Sequence, residues 1–165
     1  PNKLGDDVIT LGMASGLGNN CAFEVNGTCY TAPFKPTPMT KAECEAEKDK
    51  LGIKACNYEQ DYWAGAVKQC GGVSKMPTMA QLGELASQLY VGNPTIGAKQ
   101  DKDNIQFDSN SSTAKALGLT PGFYLWSGEE GSSISACIRY FGTTYSGWGS
   151  NGRRYSVSQA VCLGE

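Results

Sequence analysis

The side chains able to do chemistry are seven cysteines, sixteen carboxylates, fourteen lysines and arginines and eight tyrosines; histidine is missing altogether. Without an imidazole the commonest general base, the usual nucleophile–histidine pairs and the commonest zinc ligand are all lost. Cys21, Cys29, Cys44, Cys56, Cys70, Cys137 and Cys162 lie far apart with no C-x-x-C pair, so zinc and iron–sulfur spacing is lacking. Disulfides are the better use, and they imply an oxidising compartment. Six cysteines are expected to pair, in a connectivity that spacing leaves open, and Cys137 is the candidate odd thiol. A nucleophilic cysteine needs a cation or imidazole beside it, which the sequence around Cys137 does not offer. Asp101, Asp103 and Asp108 could supply oxygen ligands to calcium, but without an EF-hand glycine pattern they read as a solvated acidic loop, and Glu129-Glu130 as a surface turn. No catalytic residue, metal ligand or cofactor is assigned, and enzymatic activity is not expected.

The C-terminal third is where contact-making residues gather. All eleven lysines lie at or before Lys115, whereas Arg139, Arg153 and Arg154 all lie after it. Lys, Gln, Glu, Met and Trp make up 34 of 165 residues, so about six are due in any stretch of 28 by proportion; Gly131 to Ser158 holds one, Trp148. Tyr, Ser, Gly, Thr, Asn and Arg dominate instead, the types that supply paratopes with rigid aromatic anchors and adaptable hydrogen bonds. Solvated glycine-rich loops use the same residues, so composition leaves both readings open. The candidate ligand-binding set is Ser133, Ser135, Cys137, Arg139, Tyr140, Thr143, Thr144, Tyr145, Ser146, Gly149, Ser150, Asn151, Arg153, Arg154, Tyr155 and Ser158. Within it, Tyr140, Tyr145 and Tyr155, together with Trp148, are the candidate hot spots. Arg153-Arg154 reads either as a solvated pair or as the anchor for an anionic, carboxylate-bearing ligand.

Elements must position these residues. Asn26-Gly27 supplies a type I′ turn between Phe23, Val25 and Thr28, Tyr30, with Cys29 facing Glu24. After the proline-rich connector Pro33–Pro38, Thr40-Lys41-Ala42-Glu43 has capping-box form and opens a solvated helix closed by Gly52. Trp63, Ala66, Val67 and Cys70 mark a second helix, and Thr78-Met79-Ala80-Gln81 opens a third with Leu82, Leu85 and Leu89 as its buried stripe. Gly92 to Ser112 reads as a long polar surface loop. Short strands are expected at 123–127, 135–141 and 157–163. Helices first and strands last point to an α+β domain.

Length calls for a single domain. A formal charge of −2 and a pI near 5.2 remove the footprint of a nucleic-acid binder. No stretch approaches the ~18 apolar residues of a membrane span. Because the chain starts at Pro1 without Met, an anchor in a missing N-terminal segment is possible.

Tyr62 to Cys70, Lys75-Met76-Pro77-Thr78 with Gln81-Leu82-Gly83-Glu84-Leu85, Tyr124-Leu125-Trp126-Ser127 and Gln159-Ala160-Val161-Cys162 occur in the order seen in C-type-lectin-like domains. The resemblance is to the branch holding formylglycine-generating-enzyme-like and bacterial Lcl-type domains, and it runs from near residue 57 to the end. It departs from that pattern at Lys75 and Met76, where Arg and Leu are usual, and at Leu125, which separates Tyr124 from Trp126. It implies N-terminal helices packed on a short, twisted, mainly antiparallel sheet. Residues 1–56 would form a hairpin and helix extension, and 57–165 a C-type-lectin-like domain packed with it as one unit. The reactive cysteine pair of the oxygen-using enzymes is not reproduced. Nor is the calcium-dependent sugar motif, since Asn93-Pro94 lacks its acidic partner and Trp148-Gly149-Ser150 lacks Asn and Asp.

The chain is also similar to the variable proteins of diversity-generating retroelements, in which adenine-directed mutagenesis rewrites a C-terminal ligand-binding segment. Codons so rewritten end in a pyrimidine and exclude Lys, Gln, Glu, Met and Trp, the types depleted here. The resemblance implies an extracellular or cell-surface adhesion and recognition protein with a hypervariable face for a protein or glycan. The alternative is a structural, pilin-like subunit whose globular head is exposed decoration.

Overall fold

The computed structural model describes residues 20–92, 105–144, 146–147 and 152–164. Strands β1 (Phe23–Val25) and β2 (Thr28–Tyr30) form the expected hairpin, with Asn26 at φ 50° and Gly27 at φ 83° giving the two left-handed positions of its turn. Glu24 faces Cys29, and a Cys21–Cys29 disulfide closes the hairpin base. Helix α1 (Lys41–Leu51) starts on the Thr40/Glu43 capping box and stops at Gly52, and Cys44–Cys56 ties it to the segment that follows. Helix α2 (Tyr62–Cys70) buries Trp63, Ala66, Val67 and Cys70, while α3 (Met79–Leu89) buries Leu82, Leu85 and Leu89 behind the Thr78/Gln81 box.

The 92–112 region departs from the expected loop. Residues 93–104 lie outside the described set, but beyond them Ile105 and Phe107 are buried. Strand β3 (Tyr90–Val91) pairs with β4 (Gln106–Phe107), and a short helix α4 (Ser112–Leu117) begins at the Ser111 N-cap. Two apolar residues in a polar stretch are enough to hold β4 down when the adjoining Tyr90 ring meets Phe107 edge-on at 5.5 Å.

Strand β5 (Phe123–Glu130) pairs with β6 (Ser135–Phe141), which pairs with β7 (Gly152–Arg153), all antiparallel. The segment expected as a strand at 157–163 is not one. It is extended and bridges singly to neighbours on both sides: Gln159 to Leu125 in parallel, Ala160 to Phe34 and Leu163 to Tyr30. Its backbone groups are shared between β5 and the N-terminal region, so neither pairing runs long enough to make a ladder. The Cys70–Cys162 disulfide fixes this segment to α2.

Alternation along β5 and β6 builds one core on each face of the sheet. Phe123, Leu125 and Phe141 join α3, α4 and β4 on one side; Trp126, Ala136 and Ile138 join α1 and α2 on the other. Residues of the 20–56 region enter both cores, Val25 and Tyr30 in the first and Met39, Leu51 and Ile53 in the second. The architecture is α+β, with small antiparallel sheets. No helix among the described residues is long and apolar enough to cross a membrane.

Candidate functional site

Residues 152–159 pass from one edge of the main sheet to the other. Gly152 pairs with Ala136 beside β6, and Gln159 sits against the far edge of β5, its N–H bonding the Tyr124 carbonyl at 3.2 Å while its own carbonyl accepts from Trp126 N–H at 3.0 Å. The chain therefore forms a strap over the α2 face of the sheet. Gly152 is seated so closely that a Cβ there would come 2.8 Å from the Trp126 ring and 2.9 Å from Ile138 Cγ2. Along the strap, Arg153, Tyr155 and Val157 are exposed, whereas Arg154 and Ser158 are buried.

Arg154 is the pin that holds the strap. Its Nε and Nη2 reach Asp61 Oδ2 at 2.9 and 2.8 Å, Nη1 reaches Glu130 Oε2 at 2.8 Å and the Ser132 carbonyl at 3.4 Å, and Nη2 also donates to the Ala55 carbonyl at 2.8 Å. The guanidinium carbon lies 4.6 Å from the centre of the Trp63 ring. Each carboxylate has a second task. Asp61 Oδ1 caps α2 by accepting from Ala64 N–H, and Glu130 accepts from the N–H groups of Lys54 and Ala55. Burial pushes the Asp61 carboxyl up from its ordinary range, and the bonds from Ala64 and Arg154 pull it back only in part. Both sequence readings of Arg154, solvated partner or ligand anchor, are corrected here, because its carboxylates are internal and it has no exposed surface.

The same correction applies to four further candidates. Arg139 is fully buried on the α3 face, donating from Nε to Ser146 Oγ at 3.2 Å and lying 5.9 Å from the Phe141 ring centre. Ser146 is buried beneath it and donates to the Tyr140 carbonyl. Ser135 is buried in the β6–β7 pairing with its Oγ 2.9 Å from that of Ser132, and Ser158 is buried next to the Gln159 bridge. Short hydroxyl contacts seat Ser135 and Ser146, and Arg139 reaches Ser146 from β6. Cys137 is half-buried against the α3 core and carries the one free thiol among the described cysteines; burial first, then the Glu129 charge, pushes that thiol up, away from the reactive thiolate.

What remains outward is narrower than the sequence set. Ser133, Thr143, Thr144, Arg153 and Tyr155 are exposed and Tyr140 is half-exposed. Tyr145, Gly149, Ser150 and Asn151, with Trp148, lie outside the described residues. The structure adds neighbours that composition did not single out. Tyr58 meets Tyr155 edge-on at 5.2 Å, Tyr124 lies 4.6 Å from Tyr140, and Asn57 Nδ2 donates to the Ser133 carbonyl at 2.6 Å. Tyr124, Ile134, Tyr155 and Val157 are four of the five large apolar side chains exposed among the described residues; Tyr155 and Val157 lie on the strap, Tyr124 on β5, and Ile134 in the turn before β6, where its carbonyl accepts from Arg154 N–H at 3.2 Å. The signal available for Tyr124 was the strand period, which sets it opposite the inward pair Phe123 and Leu125.

A neutral recess of about 390 Å³ opens at the far end of the strap, between Pro33, Leu119, Pro121, Phe123 and Gln159. Of the acidic residues weighed for calcium, Asp108 accepts from Asn110 N–H in a local turn, and Asp101 and Asp103 lie outside the described set. Comparison with protein-family models, with curated proteins and with solved structures returned no match.

Proposed function

We propose that the chain is a surface-displayed recognition protein of C-type-lectin-like fold, and that its ligand-binding face is the outer side of the strap with the adjoining tyrosines. The observation that carries the reading is the split of the strap into an exposed row, Arg153, Tyr155 and Val157, backed by a buried row, Arg154 and Ser158. Tyrosines held in pairs expose apolar surface at low entropic cost, and the strap itself turns two large apolar side chains outward, Tyr155 and Val157. Three disulfides and the absence of a spanning helix among the described residues fit an extracellular setting. The compositional bias of residues 131–158 supports a face that varies between copies of the gene, in the manner of retroelement-diversified proteins. Binding, not catalysis, is the activity proposed, since no nucleophile and base come together at the strap.

Gene sequencing tests this. A neighbouring reverse transcriptase and a near-repeat of the 3′ end of the gene are expected, with substitutions between copies falling on Ser133, Thr143, Thr144, Arg153 and Tyr155 while Gly152 and Arg154 stay fixed. Copies that vary as freely at Arg154 as at Tyr155, or not at all, would contradict the variable face.

A further inference from the structure

We infer that the strap face takes a protein partner that presents a carboxylate beside apolar side chains. This narrows the binding reading above and rests on it. The first ground is charge. Arg153 is exposed and makes no ion pair with any described residue, while the two acidic residues nearest the strap in the sheet are already engaged. Glu129 accepts from Met79 N–H at 2.7 Å, and Glu130 serves Arg154 and two backbone N–H groups. Glu59, exposed next to Tyr58, forms no ion pair with Arg153. The face thus offers a planar, two-pronged cation for which no acid among the described residues competes, the geometry that favours a carboxylate.

The second ground is relief. Sugar rings pack on flat aromatic faces, but Tyr58 and Tyr155 stand at 84° and Tyr124 and Tyr140 at 46°, so neither pair offers two coplanar rings. Ile134 and Val157, 38 % and 56 % exposed, carry no π-face at all. Ridges of mixed aromatic and β-branched side chains suit the side chains of another protein, and the tyrosine, serine and threonine hydroxyls suit its backbone.

The test uses the full chain, biotinylated, against a displayed library of random peptides and, in parallel, a printed glycan array. Enriched peptides are expected to place Asp or Glu close to an aromatic or aliphatic residue. Arg153→Glu should weaken them about tenfold or more, Arg153→Lys less, and Tyr155→Ala about tenfold, with melting unchanged in all three. Peptides enriched without an acidic residue, or unaffected by Arg153→Glu yet lost with Tyr155→Ala, would overturn the acidic partner and leave the binding face standing. Glycans held through Tyr155 in place of peptides would overturn the protein partner and keep the face. If nothing from either collection depends on Tyr155, both the inference and the binding face fall.

Discussion

Arg154 makes five contacts to four acceptors, Asp61 Oδ2 taking two of them, and touches no solvent, while Arg153, one peptide bond away, meets none of these acceptors. Arg154→Met is expected to cost about 3–5 kcal/mol in urea denaturation, because it strands two buried carboxylates. Arg154→Lys should recover little, since an ammonium cannot span both acids and two carbonyls. Arg153→Ala should stay within about 0.5 kcal/mol. Residue type alone could not separate the two arginines; only the contacts made across the fold do. Tyr30 and Tyr90 show a second effect of burial, which pushes both phenols up to about 12, with the Glu84 charge adding to Tyr30. A phenol pKa raised in the fold above its ordinary value near 10 gives stability that is complete below about pH 10 and lost as pH climbs toward 12, up to roughly 2–3 kcal/mol for each. Phenolate absorbance followed with circular dichroism should show Tyr30 and Tyr90 ionising only as the fold is lost. Ionisation of either by pH 11 in an intact fold would contradict their burial.

At the scale of elements, the α3 start illustrates what sequence can carry. Thr78 Oγ1 accepts from Gln81 N–H at 3.1 Å and Gln81 Oε1 accepts from Thr78 N–H at 2.9 Å, so Thr78→Ala should cost about 1 kcal/mol in thermal or chemical denaturation, and a cost near zero would deny the cap. Such capping boxes, the Asn26-Gly27 turn and the strands at 123 and 135 were legible because their signals are local. Asp61 escaped notice as the cap of α2 because the box lacks its acidic or amide return partner. β4 and α4 were hidden in a polar stretch with too few apolar residues to show a period. The 157–163 segment has a strand's composition, yet its partners come from two distant places and it meets them only through isolated bridges. In residues 131–158 composition could not separate inward from outward side chains, because serine and arginine serve both: Ser135 and Arg154 are buried where Ser133 and Arg153 are exposed.

The whole molecule is held together across long sequence separations. Cys70–Cys162 links residues 92 apart and fastens the far end of the strap to α2, so its loss should cost about 2–5 kcal/mol. Mass spectrometry of the non-reduced, alkylated protein is expected to find one alkylated cysteine, Cys137; five or more free thiols would remove the case for an oxidising compartment. The central claim is that the strap is a fixed frame carrying an exchangeable outer row. Saturation mutagenesis of residues 152–158 in a displayed library, sorted for protease resistance, tests it most directly. Arg153, Tyr155 and Val157 should accept nearly every residue except proline, and Gly152, Arg154 and Ser158 few. Equal intolerance at Tyr155 and Arg154, or free replacement of Arg154, would contradict it.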